Sequence, residues 1–523
     1  MDRLSSDIAA LSPKQRALLE LRLGEKRPKT KETCINRQSR EAAHFPLTFA
    51  QERLWFIDQL EPDSANYNLS GAVRLRGTLN VRALKESLNE IVKRHEILRT
   101  TFGYLLSRPV QFIAESLTLM VPEIDLQQLS RIDQENELHR IASQQATRRF
   151  DLPRGPMLRA SLVRLGEQEH VFLFTIHHII SDGWSLRVFV NEMASCYEAF
   201  SAGRQVALAD LPIQYADFAV WQRDRLENGA FEPDFSYWRN QLAGAPPLLT
   251  FTNSRPRPAI QTSSGAGQSL VLPDRLAEEL RALSREEGVT LFVLLLAAFN
   301  VLLSYYTERF DILVGFPVAS RNRTETEELI GIFVNMLVLR TDLSNDPTVK
   351  ELLRRVHGAV LDGLAHQDAP FERLVGELRL QRSLSYNPLF QVAFVLDSVS
   401  AKTIELPGLV IDFLEVKDQT VQFDLVLHLI DNREQITGSL QYNTSLFDPT
   451  TADQILEDFE TILRLASTNV HVRMSELRQS LTETHRQRFL AKERELEKTN
   501  ALRLRNVKRK PVGLVLEDGG RSV

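Results

Sequence analysis

The run Val171-Phe172-Leu173-Phe174-Thr175-Ile176 is almost wholly β-branched or aromatic, and it stops at two adjacent histidines. Its length and composition predict a short strand buried on both faces. Downstream, Leu186, Phe189, Val190, Met193, Cys196, Tyr197 and Phe200 recur at helical spacing, so an amphipathic helix opens near Ser181-Asp182-Gly183 or Ser185. Strand, loop and helix in that order commit the region to a mixed α/β layer. The loop itself, HHIISDGWS from His177 to Ser185, is the candidate functional element. A helix N-terminus offers it free backbone N–H groups and a dipole that favours negative charge.

The residues of this loop leave three readings open. His177 and His178 can be half-buried polar groups bonded to main chain, with Asp182 only a helix cap. They can form a catalytic loop. A metal site is the third reading, but two histidines and one aspartate lack a nearby His or Cys cluster to complete the coordination.

Composition narrows the class. A chain of 523 residues with 43% hydrophobic content is long enough for two or three units. Its net charge of -5 argues against nucleic acid as a partner. Cys34 and Cys196 are the only cysteines, which excludes a disulfide framework and fits a reducing cytoplasm. The N-terminus lacks the apolar core of a signal peptide. Gly288 to Thr307 contains no charged residue and approaches the length of a membrane span. Asn300, Ser304 and Thr307 interrupt it, Thr290 can cap it, and a strand-like run from Asp311 follows at once, so a buried core helix and no membrane span are expected.

HHIISDGWS resembles the HHxxxDG signature of condensation domains from nonribosomal peptide synthetases. Six further segments are similar to that family's motifs and occur in its order. Before the loop these are Thr48 to Phe56 (TFAQERLWF) and Arg94 to Phe102 (RHEILRTTF). After it come Tyr215 to Trp221 (YADFAVW), Ile330 to Asn335 (IGIFVN), His366 to Glu372 (HQDAPFE) and Asn387 to Val392 (NPLFQV). Two departures, Ser383 where an acid is frequent and Met336 where threonine is usual, bear on substrate details.

The resemblance implies an α/β sandwich of two chloramphenicol acetyltransferase-like lobes, a V-shaped pseudo-dimer with a central tunnel. Periodicity alone gives only mixed α/β. On this reading residues 1–40 are a linker or docking segment, with an amphipathic piece at Leu11 to Leu19. Residues 41–211 form the N-terminal lobe, 212–266 a proline-rich crossing, 267–465 the C-terminal lobe and 466–523 a charged helical tail or linker. The tail reads either as a solvated helix or as a docking element.

The implied reaction is amide formation between a donor acyl or peptidyl thioester, of L configuration, and the amine of an acceptor aminoacyl thioester. Donor and acceptor carrier proteins present both on 4'-phosphopantetheine, so the chain itself, a cytoplasmic monomer, binds no cofactor or metal. His178 corresponds to the family's active-site histidine, as general base or as a hydrogen-bonding anchor for the amine. His177 orients the loop. Asp182 is structural and is expected to pair with Arg99, and Gly183 either offers its N–H to the oxyanion or makes a turn. Trp221, Asn335 and Ser181 are candidate tunnel or substrate contacts; Arg53, Trp55 and Arg94 are structural.

Related classes are set apart by residues. Epimerisation domains share HHxxxDG but continue with valine where Trp184-Ser185 stands here. Heterocyclisation domains replace the histidines with aspartate, and plant-type acyltransferases need a DFGWG string that this chain lacks. A non-catalytic scaffold that recruits a tailoring enzyme to a carrier is the remaining alternative, beside the epimerisation type.

Overall fold

The computed structural model describes residues 34–42, 44–61, 64–378, 383–398, 406, 408–414 and 420–506. The amphipathic piece at Leu11 to Leu19 and the basic run Lys508 to Pro511 lie outside these residues.

In the first half the principal elements are α1 (Phe49–Leu60), β1 (Asn68–Gly77), α2 (Val81–Arg94), β2 (Glu123–Asp125), α3 (Arg131–Thr147), β3 (Leu158–Gly166), β4 (Glu169–His177), α4 (Gly183–Ser201) and α5 (Tyr215–Glu227). The second half contributes β5 (Gly265–Val271), α6 (Asp274–Glu286), α7 (Leu291–Thr307), β6 (Asp311–Val318), β7 (Asn335–Asp342), α8 (Val349–Ala365) and α9 (Phe371–Glu377). It continues with β8 (Val392–Ser398), β9 (Leu409–Leu414), β10 (Leu425–Asp431), β11 (Ile436–Asn443), α10 (Pro449–Thr468) and α11 (Met474–Asn506). The fold is mixed α/β, as the strand-loop-helix pattern predicts.

A five-stranded sheet in the order β9-β1-β4-β3-β2 organises the first half, and a six-stranded sheet in the order β7-β6-β8-β10-β11-β5 organises the second. β4 is buried along nearly its whole length, yet both its neighbours run antiparallel to it. The continuous apolar run follows from cover on both faces. Leu138 of α3 packs with Val163, Val171 and Leu173 on one side, while α2 and α4 supply Leu88, Ile91, Phe189 and Cys196 to the core on the other.

The two halves follow one plan. β1 leads to α2 and the β3-β4 hairpin runs into α4; correspondingly, β5 leads to α6 and the β10-β11 hairpin runs into α10. Even the helix starts match, since Asp182 accepts a hydrogen bond from the Ser185 N–H at 2.8 Å and Asp448 accepts one from Thr451 at 2.8 Å.

The charge-free run forms α7, whose residues are buried almost throughout and which starts on a Thr290 cap. Its polar residues find partners: the Asn300 amide donates to Thr341, the Thr307 hydroxyl donates to Leu303 O, and Ser304 accepts from Arg478, while Asn300 Oδ1 is left without a partner among the described residues. No single helix among the described residues is long and apolar enough to cross a membrane.

The charged C-terminal helix is more than a solvated rod. Met474, Leu477 and Leu481 are buried in the second core, and Arg478, His485 and Arg488 reach Ser304 and the fully buried Asp458.

Two long-range features stand out among the contacts between the halves. β9 leaves the second half to pair antiparallel with β1, from Leu409 opposite Gly77 to Leu414 opposite Ala72. The segment Leu329–Val334 inserts Leu329, Ile330, Ile332 and Phe333 into the core of the first half.

Candidate active site

β4 ends at His177, a single 3-10 turn carries His178 to Ile180, and Asp182 caps α4. The turn is held from three directions. The His178 N–H donates to Tyr67 O at 2.7 Å, the Ile179 N–H donates to His177 Nδ1 at 3.1 Å, and Gln51 of α1 donates to Ile179 O at 3.3 Å. Gln51 is itself fixed by a reciprocal capping box with Thr48 at the start of α1.

His177 is therefore an internal brace, and burial beside His178 and Arg159 pushes its pKa down to about 3. His178 differs in being half-buried. Burial also lowers its pKa, an effect offset in part by Asp182 and by the main chain of His178 and Ser181. Its Nδ1 is enclosed and makes no hydrogen bond of good geometry. A neutral imidazole is the form this environment favours.

Asp182 does not pair with Arg99. Arg99 lies across the end of α2, where its guanidinium donates to Val92 O, Lys93 O and Ala114 O, so its charge serves helix carbonyls instead of a carboxylate. The cation at Asp182 is Arg321, at 3.3 Å, with both side chains buried. The second oxygen of Asp182 accepts from the N–H groups of Phe333 at 2.9 Å and Val334 at 3.2 Å.

Other expected site residues divide. Ser181 is fully buried, with its hydroxyl donating to Asp182 O at 3.4 Å, so the anticipated substrate contact is closed to it. Gly183 is exposed as the first residue of α4 and is not held at positive φ, so the backbone does not require glycine for a turn there. Trp221 and Asn335 line one cavity of about 70 Å³, together with Thr48, Ser320, Asp368 and Glu372. Trp221 stacks on Phe218 with centroids 5.6 Å apart, and the guanidinium groups of Arg323 and Arg225 lie 4.7 and 4.9 Å from its ring. The Asn335 amide is fully engaged: it donates to Gln367 O and Ala369 O, and accepts from Met336 N and Phe371 N. Asn335 thus shapes the loop that leads into α9.

Sequence alone does not mark Arg321, Ser185, Tyr215 and His95 as site residues. The last three stand inside family-like segments, whereas Arg321 lies in a stretch, VASRNR, that matches no motif. No group of three or more His, Cys, Asp or Glu among the described residues has the arrangement of a metal site.

The family model for the condensation domain matches residues 41–490. The chain belongs to the condensation-domain family. It is 45% identical over 459 residues to one of the linear gramicidin synthase polypeptides of Brevibacillus parabrevis, covering 87% of this chain but 6% of that protein. Among solved structures, the X-domain in the complex of the X-domain and OxyB from teicoplanin biosynthesis is similar at 30% identity and a TM-score of 0.77, over 86% of this chain and 99% of that one. The condensation domain of the Monacolin K polyketide synthase MokA shares the fold at 22% identity and a TM-score of 0.74, over 83% of this chain and 99% of that one. The chloramphenicol acetyltransferase-like architecture implied by the motifs is therefore present. Condensation domains of nonribosomal peptide synthetases catalyse peptide-bond formation, an acyl transfer, and work with carrier domains bearing phosphopantetheine.

Proposed function

We propose that this condensation domain joins a donor acyl or peptidyl thioester to the amine of an acceptor aminoacyl thioester, each held on a separate carrier protein. The observation that carries the reading is His178: a half-buried imidazole, neutral by burial, on a turn braced by Tyr67, Gln51 and His177. Nδ1 is enclosed in the protein, so on this reading Nε2 is the nitrogen offered to the substrate amine. It hydrogen-bonds the attacking amine or takes its proton as the new C–N bond forms and the donor thiol leaves. The thioester is already activated, so alignment supplies most of the rate, on the order of several kcal/mol. The N–H of Gly183, exposed at the start of α4, is the candidate donor to the developing oxyanion.

On this reading residues 41–211 and 267–465 act as two lobes of one V-shaped unit with the reaction in the tunnel between them. The separate hydrophobic cores support the division. The phosphopantetheine belongs to the carriers, and the chain works as a cytoplasmic monomer. The Trp184-Ser185 continuation of the motif favours condensation of an L-configured donor over epimerisation.

The likeness to the teicoplanin X-domain, seen in complex with OxyB, favours a second reading: a scaffold that brings a tailoring enzyme to a loaded carrier. Reconstitution with aminoacyl-loaded donor and acceptor carriers decides between them. Dipeptidyl carrier detected by intact mass, and lost in His178→Ala, is the expected result. Carrier binding without product across several substrate pairs would sink the catalytic reading and leave the scaffold.

A further inference from the structure

Leu329–Val334 is neither helix nor strand along its length, and all of it but Val334 is buried. Its polar main-chain atoms therefore need partners away from water. Most come from side chains of the first half. The Ile330 N–H faces His95 Nδ1 at 3.4 Å, the Ile332 carbonyl accepts from the Tyr215 hydroxyl at 2.7 Å, and Asp182 takes the N–H groups of Phe333 and Val334. Arg321 supplies Leu329 O at 2.7 Å.

Ser185 is the centre of this arrangement. Its hydroxyl donates to Gly331 O at 2.7 Å and accepts from Gly331 N at 3.0 Å and from Arg321 at 2.7 Å. One donor and two lone pairs are all that a hydroxyl has. Gly331 is required at this spot, because a Cβ would lie 2.0 Å from the Tyr215 ring.

We infer that Ser185, with Tyr215 and Arg321, is a positioning residue for the reaction: by clamping Leu329–Val334 it fixes both oxygens of Asp182, and through Asp182 the loop that presents His178. The inference rests on the proposed role of His178. One oxygen of Asp182 takes Ser185 N and Arg321, and the other takes the N–H groups of Phe333 and Val334. When the segment loosens, Asp182 loses two of its four partners, and the turn four residues before it loses one of its supports. Asp182, Ser185, Tyr215 and Arg321 are all buried, so a carrier would not touch them directly and its binding is expected to be unaffected.

The test compares the native chain with Ser185→Ala, Tyr215→Phe and, as a control on the outer face of α4, Ser195→Ala. Hydrogen exchange is followed by mass spectrometry in peptides covering 171–185 and 329–335, alongside condensation kinetics with aminoacyl carriers. Ser185→Ala is expected to speed exchange in both peptides together and to lower kcat by about a hundredfold with carrier KM unchanged. Tyr215→Phe should show the same paired change at smaller size, and Ser195→Ala neither. Faster exchange confined to 329–335, with a rate within about threefold of native, overturns the inference. Should Ser185→Ala fail to fold, Tyr215→Phe decides: the paired change supports the inference and a native pattern overturns it. A native chain that makes no dipeptide defeats the reading of the reaction instead, and the exchange data still show whether the segment holds the His178 loop.

Discussion

A carboxylate can accept four hydrogen bonds on its two oxygens, and Asp182 has four donors: two main-chain N–H groups of the inserted segment, the N–H of Ser185 and the guanidinium of Arg321. Removing it leaves Arg321 charged, buried and short of its counter-ion. Asp182→Ala is expected to cost about 3–5 kcal/mol, read as a shift of the urea midpoint. Arg99→Met removes only hydrogen bonds to the main-chain carbonyls of Val92, Lys93 and Ala114 and should cost about 1–2 kcal/mol while leaving the pH dependence of the rate unchanged.

The histidines make opposite uses of the same burial. The folded pKa of His177, about 3, lies below its ordinary value of 6.5, so the unfolded chain binds the additional proton. Its contribution to stability is complete above about pH 6.5 and is lost as pH falls toward 3. His177→Asn should flatten that decline in urea midpoints measured across the acid range. For His178 the lowered pKa displaces the acid limb of the condensation rate below the ordinary histidine value, checked by a pH profile of kcat. The loop itself was legible because one short run holds both histidines, the cap and the strand end. The partner of Asp182 was not, because sequence adjacency says nothing about which of many arginines a fold brings to a carboxylate, and Arg321 stands 139 positions away.

At the scale of elements, periodicity located α2, α4 and α7, since each must bury one stripe or, for α7, nearly every face. Leu295 is completely buried in α7, and Leu295→Ala should cost about 2–5 kcal/mol in a urea titration. The docking of α11 was less legible. Charge dominates its composition, and three apolar positions, Met474, Leu477 and Leu481, carry its contact with the core. Leu481→Ala is expected to destabilise by about 2–5 kcal/mol, whereas Phe489, which is 63% exposed a little further along the helix, should tolerate alanine within about 0.5 kcal/mol.

For the whole molecule, the repeated plan was invisible as sequence repetition because what recurs is the order of strands and helices and a capping aspartate, while the loops differ. At the junction that matches His177 to Ser185, the second half carries Asn443, Thr444, Ser445 and Asp448, with no histidine. On the proposed reading, the reacting histidine is therefore carried by the first half alone. The inserted segment and β9, both long-range features, lay beyond what local pattern conveys.

The strand β9 has a further effect. β1 is ten residues long, and without β9 its outer row of N–H and C=O groups, from Ala72 to Gly77, would face water as a bare template. The second half thus shields the first from self-association. A fragment ending at residue 266 should gather into β-rich aggregates as its concentration rises, and a soluble peptide spanning 406–414 should suppress their growth by taking the open edge.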